Sequence, residues 1–476
     1  MRAGKIKSKN YAIFCVMEND VEKIISLLTK ASEEEKELIR KAYDFAKVAH
    51  GEQKRNSGEL YFNHLYETAK NIAELGMDPV SVAAGFLHDI LEETKIDAQI
   101  IEKKFGKEIL FIVEGVSKLG TLKYHGADRH NESLRKLLLA TSKDLRVLIV
   151  KLCDRLHNMQ TLSFVPPEKQ KRIAMETLEI YASIANRLGI RKLSRELEDL
   201  SFPFAHKEGY DEISSIFKKS YDEKLENLEK FRKSVMKELA KSGFINFHSD
   251  YRVKGLYSLY KKYLKSKKDI DKIYDLMAMR IIVEKTEDCY KLLGIIHATR
   301  KPLPGRIKDY IAFPKFNGYQ SLHTTVFTGD GDLVEIQIRT KEMHKEAEYG
   351  VASHSLYKEG EKNKKQIIHW IDAMLPYSVS DIKKDFLSER IFIFTPKGDV
   401  IDLPTGSSAI DFAYSIHTDI GNKMSGVKIN GKLSPISTIL KGGEIVEIIT
   451  SKNARPNRKW LEHVKTTFAK KHIKNL

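Results

Sequence analysis

The sequence predicts a multidomain protein in which an all-α domain is followed by a mixed α+β domain and then by a small β-grasp domain. Three observations lead to this prediction. The chain has 476 residues, which is more than a single hydrophobic core usually organises. Apolar residues recur at helical spacing from about residue 20 to 200. Runs with strand-like alternation begin only after about residue 250.

The domain boundaries follow from these changes of pattern. Runs such as LIRKAYDFAKVAH and KRIAMETLEIYASIANRLGI are typical of amphipathic helices. The charged stretch from His206 to about Gly243 has a helical pattern and ends on a glycine, which predicts a connecting helix. The predicted segments are an all-α domain (1–200), a connecting helical region (201–250), an α+β domain (251–380), a β-grasp domain (388–450) and a basic helical tail (451–476).

Three runs, MAMRIIVE, SLHTTVF and DLVEIQIRT, predict strands of the α+β domain. In the third run, alternation sends Val334 and Ile336 to one face and Glu335 and Gln337 to the other, so a polar row lies over an apolar one. Such a strand is typical of the floor of a cleft. The β-grasp domain is predicted from the order hairpin, helix, hairpin and strand, with Asn430–Gly431 as a turn signal.

Composition sets limits on function. The formal net charge is +16, and the last 26 residues hold eight Lys or Arg against one acid, which makes polyanions such as nucleotides or RNA credible partners. No stretch approaches about eighteen consecutive apolar residues, so no membrane role is expected. The three cysteines are far apart, which argues against a disulfide framework or a cysteine zinc site and favours a reducing cytoplasm.

The first set of chemically distinctive residues lies in the all-α domain and comprises His64, His88, Asp89 and Asp154. Two imidazoles and two carboxylates can hold one divalent transition metal and leave positions for water and a phosphate oxygen. Any one of these residues, taken alone, is more often a solvated residue at a helix end than a metal ligand. The adjacent His–Asp pair lies inside an otherwise apolar helix, AAGFLHDIL, where core residues are expected. Two polar side chains are costly to bury there, so a role as metal ligands explains them better than packing does.

Further polar residues accompany this set. Asp154, Asn158 and Thr161 fall at i, i+4 and i+7, so one helix face presents a metal ligand, an amide and a hydroxyl. Glu92 and Glu93 come one turn after the His–Asp pair, where a carboxylate can orient a water molecule or take its proton. The pattern predicts a metal-dependent hydrolase site.

A second set lies in the α+β domain and suits group transfer between nucleotides. Transfer of a pyrophosphoryl group needs cations on a triphosphate, a carboxylate-held Mg²⁺, a base for the attacking hydroxyl and flat surfaces for two nucleobases. The run GRIKDYIAFPKFNGYQSLHTT supplies Lys308, Lys315, Tyr319 and His323. Alone, a basic loop with one tyrosine is usually a solvated loop, but its combination with Glu335 and Asp275 favours a site.

The stretches RNSGELYFNH, AAGFLHDILEET, KLCDRLHNMQTL and ETLEIYASIANRLGI resemble the hydrolase domain of the Rel/SpoT family, the long RelA–SpoT homologues that control the alarmone (p)ppGpp. The resemblance implies that Mn²⁺ binds to His64, His88, Asp89 and Asp154, that Glu92 and Glu93 handle the hydrolytic water, and that the nucleotide contacts Arg55, Asn158 and Thr161. Leu65 and Cys153 depart from a usual proline and alanine, and neither change removes a ligand.

The stretches RVKGLYSLY, YDLMAMRIIV, PLPGRIKDYIAFPKFNGYQSLHTTV and VEIQIRTKEMHKEAEYGVASH resemble the (p)ppGpp synthetase domain of the same family. The resemblance implies that Asp275 and Glu335 hold Mg²⁺ and that Glu335 activates the 3′ hydroxyl of GDP or GTP. It further implies that guanine stacks on Tyr319 and that the adenine of ATP lies between Arg252 and Arg280. The other residues that would contact the substrates are Lys254, Lys308, Lys315, His323 and Gln337.

One conflict with strand geometry and two departures from the usual residues of the family stand out. Asp275 and Arg280 are five residues apart, so both reach one cleft only with a bulge or if Asp275 precedes the strand. Gly255 replaces a usual histidine, and Ser355 replaces a usual tryptophan. We interpret the replacements at Gly255 and Ser355 as changes that adjust the synthetase site.

The segment DFAYSIHTDIGN resembles the TGS domain of the family. By that resemblance His417 meets the CCA end of uncharged tRNA on the ribosome, while the alternative, a histidine that only closes a helix, stays open. The cysteine-rich and ACT-like domains of full-length relatives are missing, which fits either a naturally short homologue or a truncated chain. The sequence does not predict an oligomeric state.

Over roughly residues 40–460 the chain is identified as a C-terminally short member of this family. The resemblance implies a bifunctional cytoplasmic enzyme of the stringent response, which makes (p)ppGpp from ATP and GDP or GTP and hydrolyses it to GDP or GTP plus pyrophosphate. Three alternatives stay open: a hydrolase with a silenced synthetase, a ribosome- or tRNA-binding stress module with secondary catalysis, and an unrelated phosphohydrolase fused to a nucleotidyltransferase. We expect the connecting region to make the two activities exclude one another.

Overall fold

The structure is a computed structural model that describes most of the chain. The described residues are 20–117, 136–269, 277–315, 317–328, 332–352, 390–474 and the single positions 368, 371, 374, 381, 382 and 387. Asp275 and Ser355 lie outside them. Within the described part, no helix combines the length and the apolar character that a membrane crossing requires. The chain divides into two compact units, residues 1–114 and 115–476.

The described part of the first unit is helical, as the sequence predicts. The helices are α1 (Val21–Ile25), α2 (Glu33–His50), α3 (Tyr61–Glu74), α4 (Pro79–Leu87), α5 (Ile90–Glu93) and α6 (Ala98–Val116). Capping side chains define the N-termini of several of these helices. Ser32 and Glu35 form a capping box at α2, and Asp78 caps α4 ahead of Pro79.

The close approach of α3 to α4 depends on Gly85. A Cβ atom at this position would lie 2.6 Å from Cδ1 of Ile72 and 3.1 Å from Cα of Ala69, both on α3. A residue without a side chain therefore lets the two helices pack at this distance. The residues of α4 from Ser81 to Leu87 are buried, so this helix ends inside the unit, with His88 at its C-cap.

The second unit begins with a further set of helices. They are α7 (136–143), α8 (Leu145–Gln160), α9 (Pro167–Glu176), α10 (Ala182–Arg187), α11 (Arg191–Ala205) and α12 (Lys207–Lys241). A π-helical turn, Thr177–Tyr181, joins α9 to α10. The predicted connecting helix is α12, and it ends just before Gly243, whose φ of 76° favours glycine.

A mixed five-stranded sheet follows. Its strands are β1 (His248–Val253), β2 (Met277–Val283), β3 (Lys308–Asp309), β4 (Leu322–Phe327) and β5 (Leu333–Thr340). The order across the sheet is β1-β2-β5-β4-β3, and only the β2–β5 pair is parallel. The helices of this region are α13 (Leu256–Lys265), α14 (Thr286–Thr299) and α15 (Lys341–Tyr349). The three runs predicted as strands are β2, β4 and β5.

One face of this sheet forms the core together with α12 and α14. Ile336 and Ile338 of β5 lie in that core, as the alternation predicts, and so do Phe231 and Leu239 of α12. The sequence assigned α12 only a connecting role. Because an amphipathic helix must bury its apolar stripe against a partner, α12 also completes the core of the sheet.

The C-terminal domain has the predicted order of elements. They are β6 (Arg390–Phe394), β7 (Val400–Pro404), two helices (Ala409–Ile416 and Thr418–Asn422), β8 (Met424–Ile429), β9 (Lys432–Ser434) and β10 (Val446–Thr450). Asn430 and Gly431, with φ of 50° and 80°, form the turn between β8 and β9. Ala469 and Ile473 of the basic tail lie in the core of this domain, so the tail packs as part of it.

Candidate active sites

Two helices of the first unit bring the predicted residues His64, His88 and Asp89 together. His64 on α3 is 1% exposed, and His88 is fully buried. The Nε2 atoms of His64 and His88 lie 3.4 Å and 3.3 Å from the same atom, Oδ2 of Asp89. The expectation that the His–Asp pair lies inside one helix was wrong. Helix α4 ends at Leu87 and α5 begins at Ile90, because the backbone of Asp89 (φ −98°, ψ 0°) departs from ideal helical values.

The proton positions in this cluster favour a metal-ligand role. Nδ1–H of His88 donates to the carbonyl oxygen of Gly85 over 2.8 Å, which leaves a lone pair on Nε2 in the neutral ring. A lone pair and an ionised carboxylate oxygen 3.3 Å apart repel one another unless a cation lies between them. Histidine ligands are commonly oriented in this way through their second nitrogen. The donor set therefore fits a divalent metal ion.

Tyr61 belongs to the same cluster, although the sequence patterns did not indicate it. Its hydroxyl donates to Oδ2 of Asp89 over 2.7 Å, and its ring stacks on His50 at 4.9 Å. Burial would raise the pKa of Asp89, but the positive charge that His88 and His64 carry when their rings are protonated outweighs this effect and holds the pKa well below its usual value. The spacing of Tyr61 and His64 in the sequence could have indicated this role, because Tyr61 lies three residues before His64 and so shares its helix face.

Arg55, Glu92 and Glu93 surround the cluster. The guanidinium carbon of Arg55 lies 5.9 Å from the ring centre of Tyr61. The N–H groups of Glu92 and Glu93 donate to the carbonyl oxygen of Asp89 over 3.1 Å and 2.9 Å, so α5 starts directly at the cluster. Glu92 is half-buried and Glu93 is exposed. These two carboxylates can thus meet water arriving from solvent.

Asp154 lies on α8, where two polar neighbours hold its buried carboxylate. Nζ of Lys151 lies 2.9 Å from Oδ2, and Nδ2 of Asn158 donates to Oδ1 over 2.5 Å. Burial would lower the pKa of Lys151, but the charge of Asp154 outweighs this effect and raises it. Asp154 and Asn158 share a helix face, as their spacing predicts, and Thr161 is the C-cap of α8.

The first unit offers the buried imidazoles of His64 and His88 as possible metal ligands, and the second unit offers the buried carboxylate of Asp154. Imidazole nitrogens combined with carboxylate oxygen suit a first-row transition metal. The residues that the sequence predicts as ligands are therefore buried and of the donor types that such a metal prefers.

Strand pairing collects the predicted residues of the α+β domain on the other face of the sheet, opposite its core. Residues directly opposite on paired strands share a face, and so do residues two positions apart on one strand. The first row across the sheet is Lys308, His323, Gln337, Arg280 and Asp250. The neighbouring row on the same face is Thr325, Glu335, Ala278 and Arg252. This polar face therefore gathers residues from five strands.

Two neighbours on this face contact the Glu335 carboxylate. Nδ1 of His323 lies 3.3 Å from Oε1, and Nε2 of Gln337 donates to the same oxygen over 2.7 Å. Burial would raise the pKa of Glu335, but these contacts and the charge of Lys254 outweigh this effect and lower it to about 2. So acidic a carboxyl group stays ionised, which suits a magnesium ligand better than it suits a strong base.

Tyr319, which the sequence predicts as the stacking partner of guanine, is 2% exposed. The guanidinium carbon of Arg191, the first residue of α11, lies 4.0 Å from the centre of its ring. A base stacked on this face of the ring would need the space that the guanidinium occupies. The sequence patterns did not indicate Arg191, because only the fold brings it near Tyr319.

Two hydrogen bonds to backbone carbonyl groups hold the corner between α10 and α11 against this region. Nδ2 of Asn317 donates to the carbonyl oxygen of Asn186 over 3.3 Å. The N–H of Val351 donates to the carbonyl oxygen of Leu188 over 3.1 Å. The position of Arg191 over Tyr319 therefore depends on a corner that is anchored at two points.

Lys315 lies in the loop before Tyr319. Its Nζ lies 4.4 Å from the ring centre of Tyr310 and 5.2 Å from that of Tyr319. Burial, together with the positive charges of Arg191 and Lys308, lowers the pKa of Lys315 to about 7. An anion bound beside Lys315 would restore its charge.

Arg280, predicted to flank adenine, contacts carboxylates in this structure. Its Nε and Nη2 donate to Asp250 over 2.9 Å and 2.6 Å, and Nη1 donates to Glu348 over 3.2 Å. Nη2 of Arg195 on α11 donates to the second oxygen of Glu348 over 2.5 Å. Burial and then the charge of Arg195 lower the pKa of Arg252 to about 10. Positive charges are thus crowded at this face, which suits a polyanionic ligand.

His417 lies between the two helices of the C-terminal domain. Its side chain is 65% exposed, and Nδ1 accepts a hydrogen bond from the N–H of Asp419 over 3.1 Å. The residue therefore closes one helix, caps the next and still presents its ring to solvent, so both interpretations made from the sequence stay open.

Comparison with known families divides the chain into three matched segments. Residues 42–191 match the HD domain, residues 251–362 match the region found in RelA / SpoT proteins, and residues 391–450 match the TGS domain. These segments contain the helical region with the His–Asp cluster, most of the mixed sheet and the C-terminal domain, so the multidomain fold class predicted from the sequence is confirmed.

Relatives match nearly the whole chain. It is 44% identical over 470 residues to guanosine-3′,5′-bis(diphosphate) 3′-pyrophosphohydrolase of Aquifex aeolicus, covering 96% of this chain and 66% of that protein. It is 41% identical over 477 residues to a protein of the same name from Borreliella burgdorferi, covering 96% and 71%. It is 40% identical over 454 residues to GTP pyrophosphokinase of Myxococcus xanthus, covering 92% and 60%. The chain thus spans 60–71% of the length of these relatives.

Proposed function

Because the chain belongs to the RelA/SpoT family, we propose that it is a bifunctional enzyme that makes and degrades the alarmone (p)ppGpp. In synthesis, pyrophosphate would pass from ATP to the 3′ hydroxyl of GDP or GTP. In hydrolysis, (p)ppGpp would give GDP or GTP plus pyrophosphate. The observation that carries the proposal is that one chain holds both a buried His–Asp cluster and a polar sheet face rich in cations.

We assign hydrolysis to the His–Asp cluster. The proposed ligands of Mn²⁺ are His64, His88, Asp89 and Asp154, and the metal bound there would supply hydroxide near neutral pH. Glu92 and Glu93 would orient the attacking water or take its proton, since they start the helix that leaves the cluster. Tyr61 would hold Asp89 through its hydroxyl. The proposed nucleotide contacts are Arg55, Asn158 and Thr161.

We assign synthesis to the polar sheet face. Glu335 and Asp275 would hold Mg²⁺, which neutralises phosphate charge when bound. Glu335 would also take the 3′ proton, although its low pKa gives greater weight to metal binding. Tyr319 would stack on guanine after Arg191 moves away from its ring. The remaining proposed substrate contacts are Arg252 and Arg280 at adenine, and Lys254, Lys308, Lys315, His323 and Gln337 around the phosphates and ribose.

A hydrolase-dominant enzyme is the second candidate, and one observation favours it. The residues of the proposed synthetase site contact each other: Arg191 covers Tyr319, and Arg280 pairs with Asp250 and Glu348. Nucleotides would have to displace these contacts before synthesis. In this candidate the chain degrades (p)ppGpp while its synthetase stays silent.

We further propose nucleic-acid partners for the C-terminal domain. Its exposed His417 and the formal charge of +16 would suit uncharged tRNA on the ribosome. A cytoplasmic location is proposed on the sparse, dispersed cysteines of the sequence. Salt-dependent tRNA binding that His417→Ala weakens would support the tRNA contact, whereas equal binding by that variant would remove His417 from it.

The decisive experiment follows both reactions in the purified chain. One reaction holds ATP, GDP and Mg²⁺, the other holds ppGpp and Mn²⁺, and the nucleotides of each are then separated by anion-exchange chromatography. We expect ppGpp to form in the first and to be converted to GDP in the second. Hydrolysis without synthesis supports the hydrolase-dominant candidate. Failure of both reactions refutes the proposal.

A further inference from the structure

His323 connects Tyr319 to Glu335 on the polar sheet face. Its Nε2 lies 2.8 Å from the hydroxyl oxygen of Tyr319, and its Nδ1 lies 3.3 Å from Oε1 of Glu335. Both ring nitrogens therefore face side chains of the same site. A histidine that served mainly as a phosphate donor would be expected to direct one nitrogen toward the substrate.

The proton on His323 can be assigned from its partners. An ionised carboxylate only accepts hydrogen bonds, so Nδ1 must carry the proton that faces Glu335. In the neutral ring Nε2 then holds the lone pair and accepts from the hydroxyl of Tyr319. The result is a chain of hydrogen bonds in which Tyr319 donates to His323 and His323 donates to Glu335.

Strand register holds this chain in place. His323 on β4 lies directly opposite Gln337 on β5, and Glu335 is two residues from Gln337 on the same face. Gln337 donates to the same carboxylate oxygen, Oε1, that faces His323. With two donors on one side of the carboxylate, Oε2 is the oxygen best able to meet a metal ion or a proton.

We propose that His323 is a positioning residue, which orients the Glu335 carboxylate and links that orientation to Tyr319, and does not itself bind phosphate. This inference rests on the proposed synthetase function. For His323 it replaces the contact with phosphate or ribose that the family resemblance implies and that the proposed synthetase site includes. It predicts that losing His323 slows turnover and leaves nucleotide binding nearly intact.

The test uses three substitutions that separate the two ring nitrogens. In His323→Asn the amide N–H can replace the donor Nδ1–H, in His323→Gln the amide oxygen can replace the acceptor Nε2, and His323→Ala removes both. We expect kcat for synthesis to fall about 10- to 100-fold in the Ala and Gln variants, the usual scale for an orienting partner. The Asn variant should recover most of this loss. The KM values for ATP and GDP should change less than about two-fold in all three.

GDP affinity, measured by calorimetry without turnover, gives a second readout. Lys308→Ala is the matched control, because Lys308 lies opposite His323 and is a proposed phosphate contact. The control should lose GDP affinity, and the three His323 variants should keep it. Hydrolysis of ppGpp and the melting temperature of each variant check that it folds.

Two results would overturn the inference. One is a loss of GDP affinity in His323→Ala as large as in Lys308→Ala with kcat retained, which would make His323 a phosphate ligand. The other is an Asn variant as slow as the Ala variant, which would remove the Nδ1 contact from the mechanism. A parent protein that binds GDP but forms no (p)ppGpp would refute the proposed function itself, which is a distinct outcome.

Discussion

Lys315 should make nucleotide binding depend on pH above neutrality. Burial, Arg191 and Lys308 lower its pKa to about 7, so the side chain is mostly neutral at pH 8 in the free protein. A bound di- or triphosphate favours the charged form and returns the pKa toward its usual value of about 10.4. Binding must therefore be accompanied by proton uptake, and affinity must fall as pH rises above about 7.

The size of the effect follows from that pKa. With a pKa of about 7 in the free protein, about 0.9 proton should be taken up on binding at pH 8. Affinity for GDP should fall about eight-fold between roughly pH 7.5 and pH 8.5. The nucleotide's own terminal phosphate contributes little in this interval, because its second pKa is about 6. Arg252, with a pKa of about 10, also contributes little.

The assay is calorimetric titration of GDP in buffers of different ionisation enthalpy, which reports the number of protons exchanged. Lys315→Arg keeps a charge that does not titrate in this range, so it should bind GDP with nearly constant affinity. Lys315→Gln should bind more weakly and also without pH dependence. If the parent takes up no proton at pH 8, or if Lys315→Arg shows the same pH dependence as the parent, the reasoning about Lys315 is wrong.

The other predictions concern the two sites separately. His88→Ala and Asp89→Ala should abolish ppGpp hydrolysis and leave synthesis within a few-fold of the parent, and equal loss of both activities in paired assays would contradict two independent sites. Glu335→Gln keeps shape but loses charge, so synthesis should slow by at least ~10²-fold, and near-normal initial rates would remove Glu335 from the mechanism. Arg191→Ala should uncover the Tyr319 ring and tighten GDP binding about 2- to 30-fold by calorimetry, the scale of one cation–π contact. Weaker binding would instead make Arg191 a substrate ligand.

Local patterns in the sequence were enough to predict most elements. Side chains alternate every two residues in a strand, so DLVEIQIRT by itself indicated that Ile336 and Ile338 face a core, and the structure confirms this. The turn at Asn430–Gly431 and the long helix α12 were predicted for the same reason, since turn chemistry and helical periodicity are encoded within a few neighbouring residues.

Other features were beyond the reach of local patterns. The end of α4 at Leu87 was not predicted, because neither glycine nor proline marks the break before Asp89. The packing of α12 in the core of the sheet was likewise not predictable, because a pattern of apolar residues identifies a face of the helix but not the partner of that face.

The sequence by itself determined which residue types the chain offers: imidazoles and carboxylates in one region, lysines, arginines and a tyrosine in another. Only the tertiary structure decided how they meet. Strand register set His323 beside Glu335, and the corner before α11 brought Arg191 over Tyr319. The same packing lowered the pKa of Lys315, because burial and neighbouring charges depend on residues far apart in the chain. Periodicity is a property of neighbours in sequence, whereas pairing, burial and charge coupling are properties of neighbours in space.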